Sequence, residues 1–193
     1  MAGDAVADHP EALRVERFRP QLRETYGRLH SERNGAGWCH CVAWWVPTWD
    51  GWGERTAAEN AGLRGALCDR GEYDGLLALV GDEPAGWCQL GPRDRLAKLV
   101  AQLALEPDGA AWAVTCFLVV PAWRRRGVAT ALLARAVEVA RDEGATHLEG
   151  YPRDGGRLAD GEAWTGTTSL FASAGFACVR ESGPRSVYRL RLA

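Results

Sequence analysis

A chain of 193 residues, 47% of them hydrophobic and 25% charged, carries enough apolar content for one sizeable core, and no repeat or low-complexity tract divides it. A formal net charge of -2 and a pI near 6.1 exclude the basic balance of a general nucleic-acid binder. Residues 1–10 contain acids and no apolar run, unlike a secretory leader or membrane anchor, which predicts a cytoplasmic protein with a flexible segment over 1–14 and one domain over 15–193.

In chain order, residues 15–19 alternate apolar and charged side chains, predicting a first strand, and 21–30 then read as a helix. Five tryptophans, Trp38, Trp44, Trp45, Trp49 and Trp52, precede a second helix predicted over 54–69. The apolar runs 76–80 and 85–90 flank Gly81-Asp82-Glu83-Pro84 and predict an antiparallel hairpin. Helical turns are expected within 93–105, and a buried strand over 113–120, which Pro121 terminates because it cannot extend the ladder. Val128, Leu132, Ala136 and Ala140 fall four apart with Leu133 and Val137 beside them, so one apolar stripe predicts a helix over 128–143, closed by Gly144. A strand over 147–151, a short helix over 167–173 and a hairpin over 176–192 complete the order.

The turn between the long strand and the principal helix reads Pro121-Ala122-Trp123-Arg124-Arg125-Arg126-Gly127-Val128-Ala129-Thr130. The first amides of a helix lack intrahelical acceptors and carry about half a positive charge, so an anion placed there is stabilised. Gly127 permits close backbone approach, three guanidiniums surround it, and Ala129 is small enough to leave room for a diphosphate. The chain has no G-x-x-x-x-G-K-S/T loop and no G-x-G-x-x-G opening this helix. The bland alternative is a basic helix cap on some other α/β protein.

Arg124-x-x-Gly127-x-Ala129, preceded by Val119 and Pro121, resembles the R/Q-x-x-G-x-G/A signature of the GNAT acyltransferases. Residues 170–176, Leu-Phe-Ala-Ser-Ala-Gly-Phe, resemble that family's L-Y-x-x-x-G-F segment, with Phe171 where tyrosine is usual. The resemblance spans 15–192 and is specific from 114 to 176. It implies an α/β fold whose mostly antiparallel sheet of six to seven strands splays at an acyl-CoA cleft, flanked by about four helices, and it is compatible with a homodimer. It also implies acetyl-CoA as co-substrate and no metal. The pantetheine would pair with Leu118, Val119 and Val120, and Gly127, Val128, Ala129 and Thr130 with Arg124, Arg125 and Arg126 would hold the diphosphate. Thr167 and Phe171 would complete the donor side, and an amide near Val119 would face the developing oxyanion.

The usual acid and base do not carry over, because Phe171 lacks a hydroxyl, Ala113 stands where some members have glutamate, and Gly166-Thr167 replace the usual asparagine. Glu149 and Tyr151 lie two apart on a strand and share a face, so Glu149 is the expected base and Tyr151 the expected acid, against a reading in which both are ordinary strand residues. His40 and His147 are fallback bases. Trp44, Trp45 and Trp49 are expected to line the acceptor pocket, against a lid packed into the core or a dimer partner. Asp154, Asp160 and Glu162 are candidates for attracting an amine. Six cysteines without a leader predict reduced thiols; Cys39-x-Cys41 is the one close pair, which with Cys88, Cys116 or His40 could make a metal site, but its spacing is not that of the usual zinc motifs, and the alternative is buried or pocket-lining thiols. The leading function is transfer of an acetyl group to a primary amine of a small molecule or peptide by direct attack. The alternatives are a non-catalytic acyl-CoA-binding module and a protein that sequesters planar compounds.

Overall fold

The strands observed in the computed structural model, which describes residues 12–31, 34–153, 161–183 and 185–192, are β1 (Leu13–Arg17), β2 (Gly75–Val80), β3 (Glu83–Pro92), β4 (Ala111–Val119), β5 (His147–Gly150), β6 (Ala177–Ser182) and β7 (Arg185–Arg191). They form one sheet in the order β1-β2-β3-β4-β5-β7-β6. Every pairing is antiparallel except β4 with β5. The α-helices among the described residues are α1 (Arg23–Leu29), α2 (Ala57–Asp69), α3 (Ala97–Gln102), α4 (Val128–Asp142) and α5 (Thr168–Ser173), five where about four were expected.

Both faces of the central strands are covered, which explains their continuous apolar composition. Along β2, Leu76 and Ala78 point to one face and join Leu132, Leu133 and Ala136 of α4, while Leu77 and Leu79 point to the other and join Tyr26 and Leu29 of α1 and Leu67 of α2. The periodic stripe on α4 is the stripe it buries. α2 starts later than the pattern suggests, because Thr56 and Glu59 close a capping box that fixes its first turn. Strand bounds shift by at most two residues. Leu13 and Arg14, expected to be flexible, belong to β1, paired with Val80 and Leu79; residues 1–11 lie outside the described residues. Among the described residues no helix is long and apolar enough to cross a membrane.

Two irregularities shape the centre of the sheet. The β3–β4 register shifts between Gln89 and Leu90, whose partners are Cys116 and Val114, leaving Thr115 as the extra residue of a bulge. Trp112 and Val114 therefore pack towards α4, whereas Cys116 turns to the opposite face and Phe117 returns to the α4 side. β5 pairs with β4 only from Ala111 to Val114, while β4 continues to Val119. Beyond Val114 the two parallel strands part, and the space between them opens into the principal cavity.

Candidate active site

The cavity encloses about 890 Å³ and is walled on the sheet side by Cys116, Phe117, Leu118 and Val119. That volume suits a small-molecule site. Its first end lies at the exit of β4. Pro121 to Trp123 make one 3-10 turn, Arg124 is extended, and Arg125 and Gly127 adopt left-handed backbone with φ of 58° and 79°. Alternation of this kind turns successive amides towards one side. Gly127 is the N-cap of α4 and no side chain caps the helix, so the amides of its first turn are left for a ligand or solvent. Glycine is required at 127 for its φ alone, since a methyl group there would meet open space.

Of the residues expected on the donor side, Leu118, Val119, Arg124, Ala129 and Thr167 line the cavity. Val120, Arg125, Arg126, Gly127, Val128 and Thr130 are not wall residues; they form the turn and first helical turn that continue from it. Two expectations need correction. The Val120 amide donates to Ala85 O at 3.0 Å, so it pairs with the sheet and is not open to pantetheine. Phe171 is fully buried, packed edge-on against Phe117 and Phe176, and fills the space left by Gly150 and Gly166: a methyl on Gly150 would overlap its ring. It belongs to the core and does not reach the cavity wall.

The opposite end is aromatic. Trp38, Trp52, Trp49, Trp44 and Trp164 all line the cavity and touch in that order, with successive ring centroids 4.9, 6.2, 5.4 and 5.6 Å apart. Trp44 and Trp49, expected beside the acceptor, are both on the wall of this cavity. Trp45 is not: its ring packs towards Tyr73 at 6.3 Å and lines a separate, small pocket. Trp164 and Arg185 were missed, for neither carries a local signal; Trp164 lies in a 3-10 turn packed against β4 and Arg185 opens β7, so each reaches the cavity only through the tertiary fold. Arg185 lies over Trp164 and Trp44, 5.1 and 5.7 Å from their centroids, and donates to Thr165 Oγ1 at 2.7 Å. Lys98, the sole lysine, places Nζ 3.4 Å from the Trp49 centroid. Burial lowers its pKa to about 8.

Glu149 and Tyr151 share a face as expected, and the Tyr151 hydroxyl donates to Glu149 Oε2 at 2.6 Å. They do not look into the cleft. Both are fully buried and neither lines the cavity. Glu149 instead accepts from Arg93 at 3.4 Å and from Arg189 Nε and Nη2 at 3.0 and 2.6 Å. Burial and the adjoining carboxylate push the Tyr151 phenol well above its ordinary pKa. The reason is the register: Glu149 pairs laterally with Ala113 and Arg189 in the part of the sheet where β4 and β5 still touch, before the strands separate. The fallback bases are no better placed. His147 is buried beside this cluster with its pKa lowered chiefly by burial. His40 stacks on His30 at 5.1 Å, and burial followed by the neighbouring Arg64 lowers its pKa to about 4.

Cys39, Cys41 and Cys116 line the cavity, with Cys41 and Cys116 sulfurs 3.1 Å apart. Cys88 lies on the other face of the sheet, its sulfur 4.0 Å from Leu132 O, so the four thiols do not converge. Among the described residues no group of three or more His, Cys, Asp or Glu is arranged to hold a metal ion. Asp154 and Asp160 lie outside the described residues. Glu162 pairs with Arg153 at 3.1 Å.

Comparison with known proteins agrees with this geometry. The chain resembles a solved structure of a GNAT-family protein from Desulfovibrio desulfuricans with a TM-score of 0.59 at 19% identity, covering 94% of this chain and 100% of that one. It resembles the yncA protein of Salmonella typhimurium with its cofactor acetyl-CoA (TM-score 0.52, 16% identity, 94% and 95% covered). It also resembles the paiA N-acetyltransferase of Thermoplasma acidophilum in complex with coenzyme A (TM-score 0.56, 11% identity, 93% and 99% covered). No curated protein matches it. The sequence model of the acetyltransferase (GNAT) family matches residues 38–152, which include the β4 strand, the left-handed turn and α4, and the chain belongs to that family.

Proposed function

We propose that the protein transfers the acetyl group of acetyl-CoA to an amine of a small molecule or peptide by direct attack within a ternary complex. The observation that carries this reading is one continuous cavity with an uncapped α4 N-terminus and Arg124 at one end and a tryptophan wall at the other. The residues present fit the carrier. The first-turn amides of α4 and the Arg125–Gly127 turn suit a diphosphate, and Leu118, Val119, Ala129 and Leu170 give an apolar flank for a pantetheine chain. Two structural relatives were solved with coenzyme A or acetyl-CoA, which supports the same ligand here. When bound, that ligand supplies an activated thioester carbonyl.

The chain's own task is then to orient the amine, exclude water and let a proton leave. The tryptophans do the first two. No Asp, Glu or His is among the described wall residues, so proton transfer falls to solvent or to an acceptor that arrives uncharged. That same absence favours the second reading, a module that binds acyl-CoA without turnover. Release of free CoA thiol from acetyl-CoA across a panel of amines separates the two: the enzyme gives amine-dependent thiol release and the acetylated amine by mass, whereas a binding module gives ligand stabilisation and neither product.

A further inference from the structure

The tryptophan end of the cavity carries positive charge that no described carboxylate balances. Arg185 bonds to Thr165 Oγ1 and, at 3.5 Å, to Tyr151 O, both neutral. Burial, then the like charge of Arg153, lowers its pKa, as expected of a cation short of a counter-ion. Lys98 reaches only Thr48 O at 3.5 Å, and its ammonium already occupies one face of Trp49, with the Trp52 and Trp44 centroids 5.6 and 5.8 Å away. One face of Trp49 and the rings of Trp44 and Trp164 thus already meet the protein's own cations. Trp38 and Trp49 donate to Arg55 O and Gln102 Oε1, both at 2.7 Å.

Resting on the acetyltransferase reading, we propose that the acceptor is an aromatic amine that carries a carboxylate, of the aminobenzoate class, its ring beside the tryptophans and its carboxylate at Arg185. A flat ring matches the belt Trp38–Trp52–Trp49–Trp44–Trp164. The carboxylate supplies the counter-ion that Arg185 lacks among the described residues. An amine bonded to an aromatic ring is uncharged at neutral pH, so a wall without Asp, Glu or His among the described residues is no obstacle to it. As the amine nitrogen bonds to the acetyl carbon, the carbon–sulfur bond breaks, CoA leaves as thiolate, and the nitrogen's proton passes to solvent or to the departing sulfur. A polyamine meets two fixed positive charges at the same wall and is repelled.

The test is calorimetric titration of the full-length protein, saturated with CoA, using 4-aminobenzoate, its neutral isostere 4-aminobenzamide, and spermidine. The proposal expects the acid to bind at least about tenfold more tightly than the amide, which is within the worth of one charge-assisted hydrogen-bond pair, and spermidine not to bind. Arg185→Gln is expected to bring the acid-to-amide ratio below about threefold, and Arg185→Lys to restore part of it. Equal binding of acid and amide, tighter binding of spermidine, or no binding of the acid at millimolar concentration overturns the proposal. Titration with acetyl-CoA is run separately. Absence of heat there defeats the acetyltransferase reading instead, and the acid-to-amide ratio, measured on the CoA-free protein, still decides the acceptor class.

Discussion

The two ends of the cavity are built by opposite means. The α4 end is made of backbone: two left-handed residues, Arg125 and Gly127, and a helix start that no side chain caps, all within a few consecutive positions. The tryptophan end is made of side chains from four separated stretches, the loop before α2, α3 with Lys98, the segment around Trp164 and the start of β7. A site assembled from local backbone announces itself in sequence, because glycine, proline and helix periodicity fix its conformation. A site assembled from side chains across the sheet does not, since its composition depends on which strands end up adjacent. Changes at the backbone end are therefore expected to act on the donor, and changes at the side-chain end on the acceptor; mutations outside both should act on stability alone.

The largest effect expected belongs to that last class. Glu149→Ala leaves Arg93, whose side chain is 3% exposed, without its buried carboxylate. Loss of one partner from a buried ion pair costs about 3 kcal/mol or more, so chemical denaturation is expected to show that loss. Unchanged stability together with lost acetyl transfer would instead return Glu149 to the chemistry and erase the distinction drawn between the cluster and the cavity. Gly150→Ala comes next. Its methyl would overlap the Phe171 ring, and overpacking of this kind costs about 2 kcal/mol, read as a lower melting temperature.

Smaller and more selective is Gly127→Ala. Alanine at a φ of 79° costs about 1 kcal/mol, which the turn relieves by leaving the left-handed region. Acetyl-CoA affinity is expected to fall about tenfold, measured by calorimetry, while the acid-to-amide discrimination at the other end keeps its ratio. A fall in both would show that the ends are not separable. Lys98 gives the smallest effect and the clearest sign. Its folded pKa of about 8 lies below the ordinary lysine value of about 10.4, so the unfolded state binds more protons between those limits. The cost of burying the charge is fully present below pH 8 and disappears as pH rises towards 10.4. The wild-type protein is therefore expected to gain stability relative to Lys98→Met over that window, by urea denaturation at each pH; parallel profiles would show that Lys98 titrates as an exposed lysine.

The same contrast explains how much was legible in the sequence. The stripe on α4, the Gly81 hairpin, the strand broken by Pro121 and the turn at Gly127 are local, and the structure keeps them within a few residues. Glu149 and Tyr151 were placed on one face correctly, since alternation is local too, but what covers that face is not. Arg93 arrives from the segment after β3 and Arg189 from β7, and they turn an expected base into a buried ion cluster. Phe171 was misplaced for a related reason: the glycines that make room for its ring, Gly150 and Gly166, approach only through the tertiary fold. Trp45 differs from Trp44 by a single position, yet it packs towards Tyr73 in place of the cavity, a distinction composition cannot make.

The central claim is that the amides and guanidiniums at the start of α4 grip the diphosphate of the acyl carrier. Its most direct test is calorimetry of acetyl-CoA against S-acetyl-pantetheine, which keeps the thioester arm and lacks the diphosphate. The account predicts that acetyl-CoA binds at least about tenfold more tightly, with the advantage reduced in Gly127→Ala. Equal affinity for the two ligands, in folded protein, would contradict it.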